Sequence, residues 1–404
     1  MSTGDDLFTR DDPIFVDKEL LEISHLPDKG RIVGRDDEIK QLANAANPAI
    51  FGQSPSNVLL FGKTGTGKSL CAKYVTRRLV DTAAEEDVTV GTAYVDCAQD
   101  TTETQTVQTI ATELNHPDAT AVNIPDKGIS TATYYKRLWT ILDAEYDVVL
   151  VILDEIDKLE TDSVLMQLSR AGEAGKVDQC KIGVIGISNK IKYKDRMDER
   201  VKSSLCERDF VFPPYNADQL GKIMHARSDA FRDGVLEDGV IPRAAALAAR
   251  EHGDARKAID ILRYAGEIAQ SNGASTVREE FVIQARERAE TDRFRELIRG
   301  STPHSRYVLQ ALTLLSLHAD DSSAGFRTTR IYDVYEDICE KEGADTLSLR
   351  RVRDLLKEHA FLDVLEQTRH SGGSAEGSYT EHQLLEDPSV IQNVIDSDIW
   401  IENV

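Results

Sequence analysis

The segment Gly62-Lys63-Thr64-Gly65-Thr66-Gly67-Lys68-Ser69 leaves this chain little choice of core. It matches the P-loop pattern, and the pattern carries weight only where a strand precedes it and a helix follows. Both conditions are met, by an apolar run at residues 57–61 and a helical stretch at residues 70–81. The glycines let consecutive backbone N–H groups turn toward a β-phosphate, and the following helix adds its positive end. Gly65, Thr66 and Gly67 are therefore expected to cradle phosphate, Lys68 to reach the β/γ oxygens and Ser69 to ligate Mg²⁺. ATP and ADP are the expected ligands.

Three further apolar runs, at residues 88–96, 147–153 and 181–188, alternate with helix-length segments. Strands separated by helices predict a parallel sheet covered by helices. Val148-Val-Leu-Val-Ile-Leu153 shows no alternation, as a central strand buried on both faces should not. Asp154 and Glu155 follow it directly, at the strand end where parallel sheets hold their ligands. Asp154 is expected in the Mg²⁺ shell and Glu155 as the group that orients the attacking water. Asn189 ends another run and is placed to sense a γ-phosphate, although a lone Asn after a strand also serves as a turn residue.

With 404 residues the chain exceeds one ordinary core. Beyond Pro213-Pro214 only helical patterns appear, at residues 217–233, 242–251 and 254–270, which predicts a small all-helical domain. After residue 300, helical stretches at 306–319, 330–342 and 348–359 precede two strand-like runs, 362–368 and 379–385, around a Gly/Ser-rich loop at 370–377. Three helices and a hairpin predict a winged helix. The expected organisation is an N-terminal arm at 1–30, a nucleotide-binding core at 31–212, the lid at 213–299 and the winged helix at 300–404.

The net charge is −22, and arginine outnumbers lysine. This argues against uniform attraction to nucleic acid and suits a salt-rich cytoplasm, pointing to a halophilic source. Five scattered cysteines lack zinc or disulfide spacing. An acidic beginning and the lack of a spanning apolar run are those of a cytoplasmic protein without membrane association.

Taken in order, the motifs resemble the archaeal origin-recognition and cell division control protein 6 group of AAA+ replication initiators. The likeness rests on Ile32-Val33-Gly34-Arg35-Asp36-Asp37-Glu38-Ile39, the P-loop, Leu153-Asp-Glu-Ile-Asp157 and Ile187-Ser-Asn189. It continues through Arg200-Val-Lys-Ser-Ser-Leu205, Phe212-Pro-Pro-Tyr215, Gly253-Asp-Ala-Arg256-Lys257-Ala258 and the winged helix. The resemblance implies an α/β P-loop AAA+ core, with Ile32 and Val33 at adenine and Tyr215 and Arg227 on the nucleotide. It also implies Arg256 as a lid residue reading the γ-phosphate. Arg200 takes the place of the arginine finger that serves a neighbouring subunit, with Arg196 and Arg208 as nearby rivals.

In the candidate recognition helix, Leu349, Val352, Leu355 and Leu356 share one face, while Arg350, Arg351 and Lys357 face away. Asp354 and Glu358 share the outer face, so read alone it is a solvated surface. By resemblance, this helix and a wing carrying Arg369 and Gly372-Gly373 contact double-stranded origin DNA, and a core insertion at residues 116–133 touches it as well. The implied function is an ATP-dependent replication initiator that recruits or loads the replicative MCM helicase. Other initiator copies act beside it on DNA, and slow hydrolysis resets the switch. An ATP-dependent transcription or signalling regulator with a winged helix is the alternative, and a threading motor is a third class.

Overall fold

The computed structural model describes residues 12–22, 31–190, 193–205, 208–250, 253–299, 301–319, 325–362, 364–371 and 378–399. The chain forms two compact units, one ending at Val282 and one beginning at Ile283.

In the first unit, β1 (Val58–Phe61), β2 (Val90–Asp96), β3 (Val148–Asp154), β4 (Lys181–Ser188) and β5 (Arg208–Val211) form one sheet in the order β2-β3-β4-β1-β5. Every pairing is parallel. Along β3 the pleat deals side chains alternately to two cores. Val149, Val151 and Leu153 join one, while Val148, Leu150 and Ile152 join the other. Both faces must therefore be covered. The helices that surround the sheet are α1 (Asp36–Ala46), α2 (Lys68–Ala84), α3 (Glu103–Leu114), α4 (Pro117–Thr120), α5 (Thr131–Glu145), α6 (Ser163–Ser169), α7 (Tyr193–Arg196) and α8 (Glu199–Leu205). The strand order doubles back at β1, so the P-loop leaves the sheet at a topological switch point beside the end of β4.

The sequence pattern misses β5, whose residues are mostly exposed at the sheet edge and carry no apolar run.

The lid consists of α9 (Ala217–His225), α10 (Val240–Arg250) and α11 (Ala255–Ser271). The first is shorter than its periodicity suggests. After His225 the chain makes a single 3-10 turn and delivers Phe231 to Phe15, with ring centroids 4.9 Å apart. Where an extended arm was expected, residues 12–22 pack against the lid. Ile14, Phe15 and Leu21 are buried, Val16 N–H donates to Ala230 O at 2.8 Å, and Lys18 pairs with Glu267 at 2.6 Å. The rest of the arm, residues 1–11 and 23–30, lies outside the described residues.

The helix α12 (Glu279–Arg299) carries the chain into the second unit. There α13 (Pro303–Leu317), β6 (Phe326–Arg327), α14 (Thr328–Glu342), α15 (Leu349–Phe361), β7 (Leu365–Ser371), β8 (Ser378–Leu384) and α16 (Pro388–Ile399) surround one core. The sheet is antiparallel in the order β6-β8-β7. Local chemistry starts the helices: Thr302 caps α13 ahead of Pro303, and the Ser348 hydroxyl accepts from Arg351 N–H at the start of α15. The short β6 and the final α16, which buries Ile391, Val394 and Ile395, extend the expected three helices and hairpin.

Candidate nucleotide site and nucleic-acid face

At the carboxyl end of β1 the P-loop turns into α2. Lys68 is 4% exposed, and its Nζ donates to Gly62 O (2.8 Å), Lys63 O (2.8 Å) and Asn189 Oδ1 (2.9 Å). All three acceptors are uncharged. Burial pulls its ammonium down to about 8, against the opposing field of Asp154.

Asp154 closes β3. Its Oδ2 accepts from Ser69 Oγ at 2.5 Å and from Tyr94 Oη at 2.8 Å, while Oδ1 accepts from Glu155 N–H at 2.9 Å. Glu155 sits at φ +54°, a left-handed conformation that costs a non-glycine residue energy and collects at functional sites. Its Oε1 accepts from Asn189 Nδ2 at 3.2 Å. Burial raises its carboxyl above the ordinary range, with Lys158 acting in the opposite sense. The ends of three strands thus converge on one network.

The lid reaches the same place. Ala255 N–H donates to Gly65 O at 3.1 Å, and Asp254 caps α11 by accepting from Arg256 N–H at 2.7 Å. A Cβ on Gly65, at φ +71°, would lie 1.7 Å from Asp254 Oδ1, so only glycine allows this approach. The contact brings Arg256 to the wall of a cavity of about 660 Å³. Ile32, Val33, Gly65, Gly67, Lys68, Ser69, Asp154, Glu155, Asn189, Tyr215 and Arg227 line the same cavity. Arg227 is buried and its guanidinium is destabilised by burial, then by the Arg31 charge.

Thr66 is different. Its hydroxyl turns inward to Lys63 O at 2.8 Å, and the residue does not line the cavity. Its side chain holds the loop, which leaves Thr66 only its backbone to offer a phosphate.

Arg200 is exposed on α8, outside the cavity wall, and Arg208 is exposed at the start of β5. The Arg196 side chain lies outside the described residues.

In the second unit Arg350 and Arg351 are exposed in the first turn of α15. Lys357 pairs with Asp354 at 3.0 Å, which lowers the Asp354 carboxyl and offsets the lysine's charge. Arg369 is exposed on β7, whereas Gly372 and Gly373 lie outside the described residues. The insertion at 116–133 is pinned to the core. Pro125 O accepts from Tyr134 Oη at 2.7 Å, and Val122, Ile124 and Ile129 pack on the core, while Lys127 stays exposed.

Two residues with no role assigned from sequence belong to this network. Arg35 is buried; its Nε donates to Thr66 O at 2.9 Å, its Nη2 to Pro213 O at 2.5 Å, and its guanidinium lies 3.9 Å from the Tyr215 ring centroid. It ties the P-loop to the linker entering the lid. Tyr94, on β2, is the other.

Family models match the chain in order: an AAA domain over residues 52–189, a Cdc6 AAA+ ATPase-type lid domain over 221–287 and a CDC6 C-terminal winged helix domain over 296–394. ORC1-type DNA replication protein 4 of Halobacterium salinarum is 53% identical over 394 residues, covering 98% of this chain and 95% of that protein. The chain belongs to the ORC1-type DNA replication proteins. ORC1-type DNA replication protein 9 of Haloarcula marismortui, at 50% identity over 396 residues, covers 97% of this chain and 95% of its own length. Among solved structures, the Aeropyrum pernix ORC1 protein in complex with DNA matches with a TM-score of 0.80 and 34% identity over 97% of this chain and 99% of that one. The AAA+ core, lid and winged helix expected from the motifs are the architecture of this ORC1-type chain, and its named relatives include halophiles.

Proposed function

We propose that this ORC1-type chain is an ATP-gated initiator that binds replication-origin DNA and recruits or loads the replicative MCM helicase. The observation that carries the reading is the Lys68–Asn189–Glu155 chain of hydrogen bonds in a cavity that the lid residue Arg256 also lines. A site assembled from both core and lid can transmit the state of its ligand.

ATP fits between the P-loop and the start of α11. Lys68 meets the β/γ oxygens, Ile32 and Val33 flank adenine, and Tyr215 and Arg227 complete the wall. Ser69 and Asp154 supply hard oxygens suited to Mg²⁺, which would take its remaining ligands from phosphate and water and neutralise phosphate charge. Among the described residues no cluster of three acidic, His or Cys side chains offers a metal cage.

Glu155 orients a water in line with the γ-phosphate, and Asn189 holds both Glu155 and Lys68 in place. Arg256 registers the γ-phosphate from the lid. Arg200, with Arg196 and Arg208 as alternatives, reaches the nucleotide of a neighbouring copy on DNA. Hydrolysis is slow and resets the switch.

Arg350, Arg351, Lys357 and Arg369 face the duplex, the first two in the turn of α15 that enters the groove. A cytoplasmic location follows from this role. No helix among the described residues is long and apolar enough to cross a membrane. Footprinting across the genome's intergenic repeats in molar salt, with ATP or ADP, tests the reading. Protection of discrete repeats that changes with the nucleotide is expected; uniform or nucleotide-blind protection would overturn it.

A further inference from the structure

Tyr94 stands next to the metal-facing residues without a place in the mechanism above. It lies on β2, opposite Ile152 in the β2–β3 ladder, and Asp96 of the same strand pairs with Asp154. Its neighbours Ala93 and Val95 point into the core on one face of the sheet. By the period of two, Tyr94 points to the other face, toward α2. There its ring meets the Lys73 ammonium, 3.4 Å from the centroid, and its hydroxyl meets Asp154 Oδ2 at 2.8 Å. The backbone at the same residue is fixed by Tyr94 N–H donating to Glu113 Oε2 at 2.7 Å. The ring also borders the nucleotide cavity.

We propose that Tyr94 is a positioning residue of the magnesium–nucleotide site: its phenol fixes the rotation of the Asp154 carboxylate, and Lys73 over its ring strengthens that hold. The proposal rests on the nucleotide reading given above. Asp154 Oδ2 has two hydroxyl donors, Ser69 Oγ and Tyr94 Oη. Ser69 Oγ is also assigned to the cation, whereas the phenol is assigned no ligand and acts on Asp154 alone. Without it, a buried carboxylate oxygen would lose a donor in a poorly solvated place and rotate to seek another. The cation on the ring face is attracted by the quadrupole and, by drawing electron density from the phenol, makes the O–H a better donor. Charge from Lys73 thus reaches Asp154 through the ring in addition to its direct field. Partners of this kind behind a ligand typically change metal affinity by about 10- to 100-fold when removed.

The test is Tyr94→Phe in the full chain, which keeps the ring and its stacking. ATP binding is titrated by calorimetry without Mg²⁺ and at a series of free Mg²⁺ concentrations. The proposal expects unchanged Mg²⁺-free affinity and about a tenfold rise in the Mg²⁺ concentration that gives half-maximal tightening. An equal Mg²⁺ dependence in variant and wild type overturns the role of Tyr94 and leaves the nucleotide site standing. Loss of the Mg²⁺-free affinity as well marks a packing role and overturns it too. A wild type whose ATP binding ignores Mg²⁺ overturns the magnesium reading and the proposal together.

Discussion

Asn189 joins Lys68 to Glu155, accepting from the lysine Nζ through Oδ1 at 2.9 Å and donating to the glutamate Oε1 through Nδ2 at 3.2 Å. One amide thereby orients both the group assigned to phosphate and the group assigned to water, and because Asn189 follows β4, its place is set by a strand that pairs with both β1 and β3.

Lys68→Ala and Glu155→Gln should separate binding from turnover. The alanine removes the buried cation; charged hydrogen bonds worth about 1.5–3 kcal/mol each imply an affinity loss on the order of 100-fold. The glutamine can still accept from Asn189, so ATP should bind within about twofold of wild type while hydrolysis falls on the order of 100-fold. Calorimetry and single-turnover hydrolysis on both variants check this. Comparable loss of affinity in the two would contradict the division of roles.

How much of this site could be seen in advance depended on whether the signal was local. The P-loop, Asp154-Glu155 and Asn189 each follow a largely apolar run, so their meeting at the carboxyl ends of the strands follows from a parallel sheet alone. Arg35 had no such signal. Its partners Thr66, Pro213 and Tyr215 are remote along the chain, and a buried arginine between them looks in sequence like one more charge before a helix. Tyr94 was hidden for the related reason that it reads as an ordinary strand aromatic. Of the fold, β5 and the docked residues 12–22 were missed because an exposed edge and an irregular segment carry no period. The motif assigns Thr66 through its backbone N–H, and the structure adds that its hydroxyl holds the loop by donating to Lys63 O.

The winged helix carries its own pH sensitivity in His382. The ring is fully buried on β8; Gln367 Nε2 donates to Nδ1 at 3.3 Å, which leaves Nε2–H to donate to Thr328 Oγ1 at 2.9 Å. Burial, and then the charge of Arg353, lower its pKa to about 4 from the ordinary 6.5. Between those values the unfolded chain binds a proton that the folded chain refuses, so stability falls as pH drops from 6.5 toward 4 and is fully present above 6.5. The loss should reach about 3 kcal/mol at most. His382→Gln should flatten that part of the profile in denaturant unfolding of the C-terminal unit. An unchanged slope would remove His382 as its source.

Arg350 and Arg351 provide the strictest test of the proposed DNA-facing surface, because the net charge of −22 opposes phosphate contact. Lys357, their neighbour on α15, is held by Asp354 at 3.0 Å, so its charge is largely spent within the helix. The two arginines occupy the first turn of α15, the end that sits deepest in a major groove where a helix of this kind reads DNA. Contacts to base edges there are worth about 1–3 kcal/mol each, so Arg350→Ala with Arg351→Ala should cost specific affinity at least about tenfold. If they read bases, the loss should be confined to the specific duplex and the salt slope should stay as it was. If they only neutralise phosphate, binding to all sequences should weaken together, and the slope should fall by about one for each arginine. Titrating labelled origin and unrelated duplexes at several salt concentrations distinguishes these outcomes. A steep slope in the wild type would assign binding to a basic surface elsewhere; a shallow one fits recognition by shape and base contact, with counterion release contributing little.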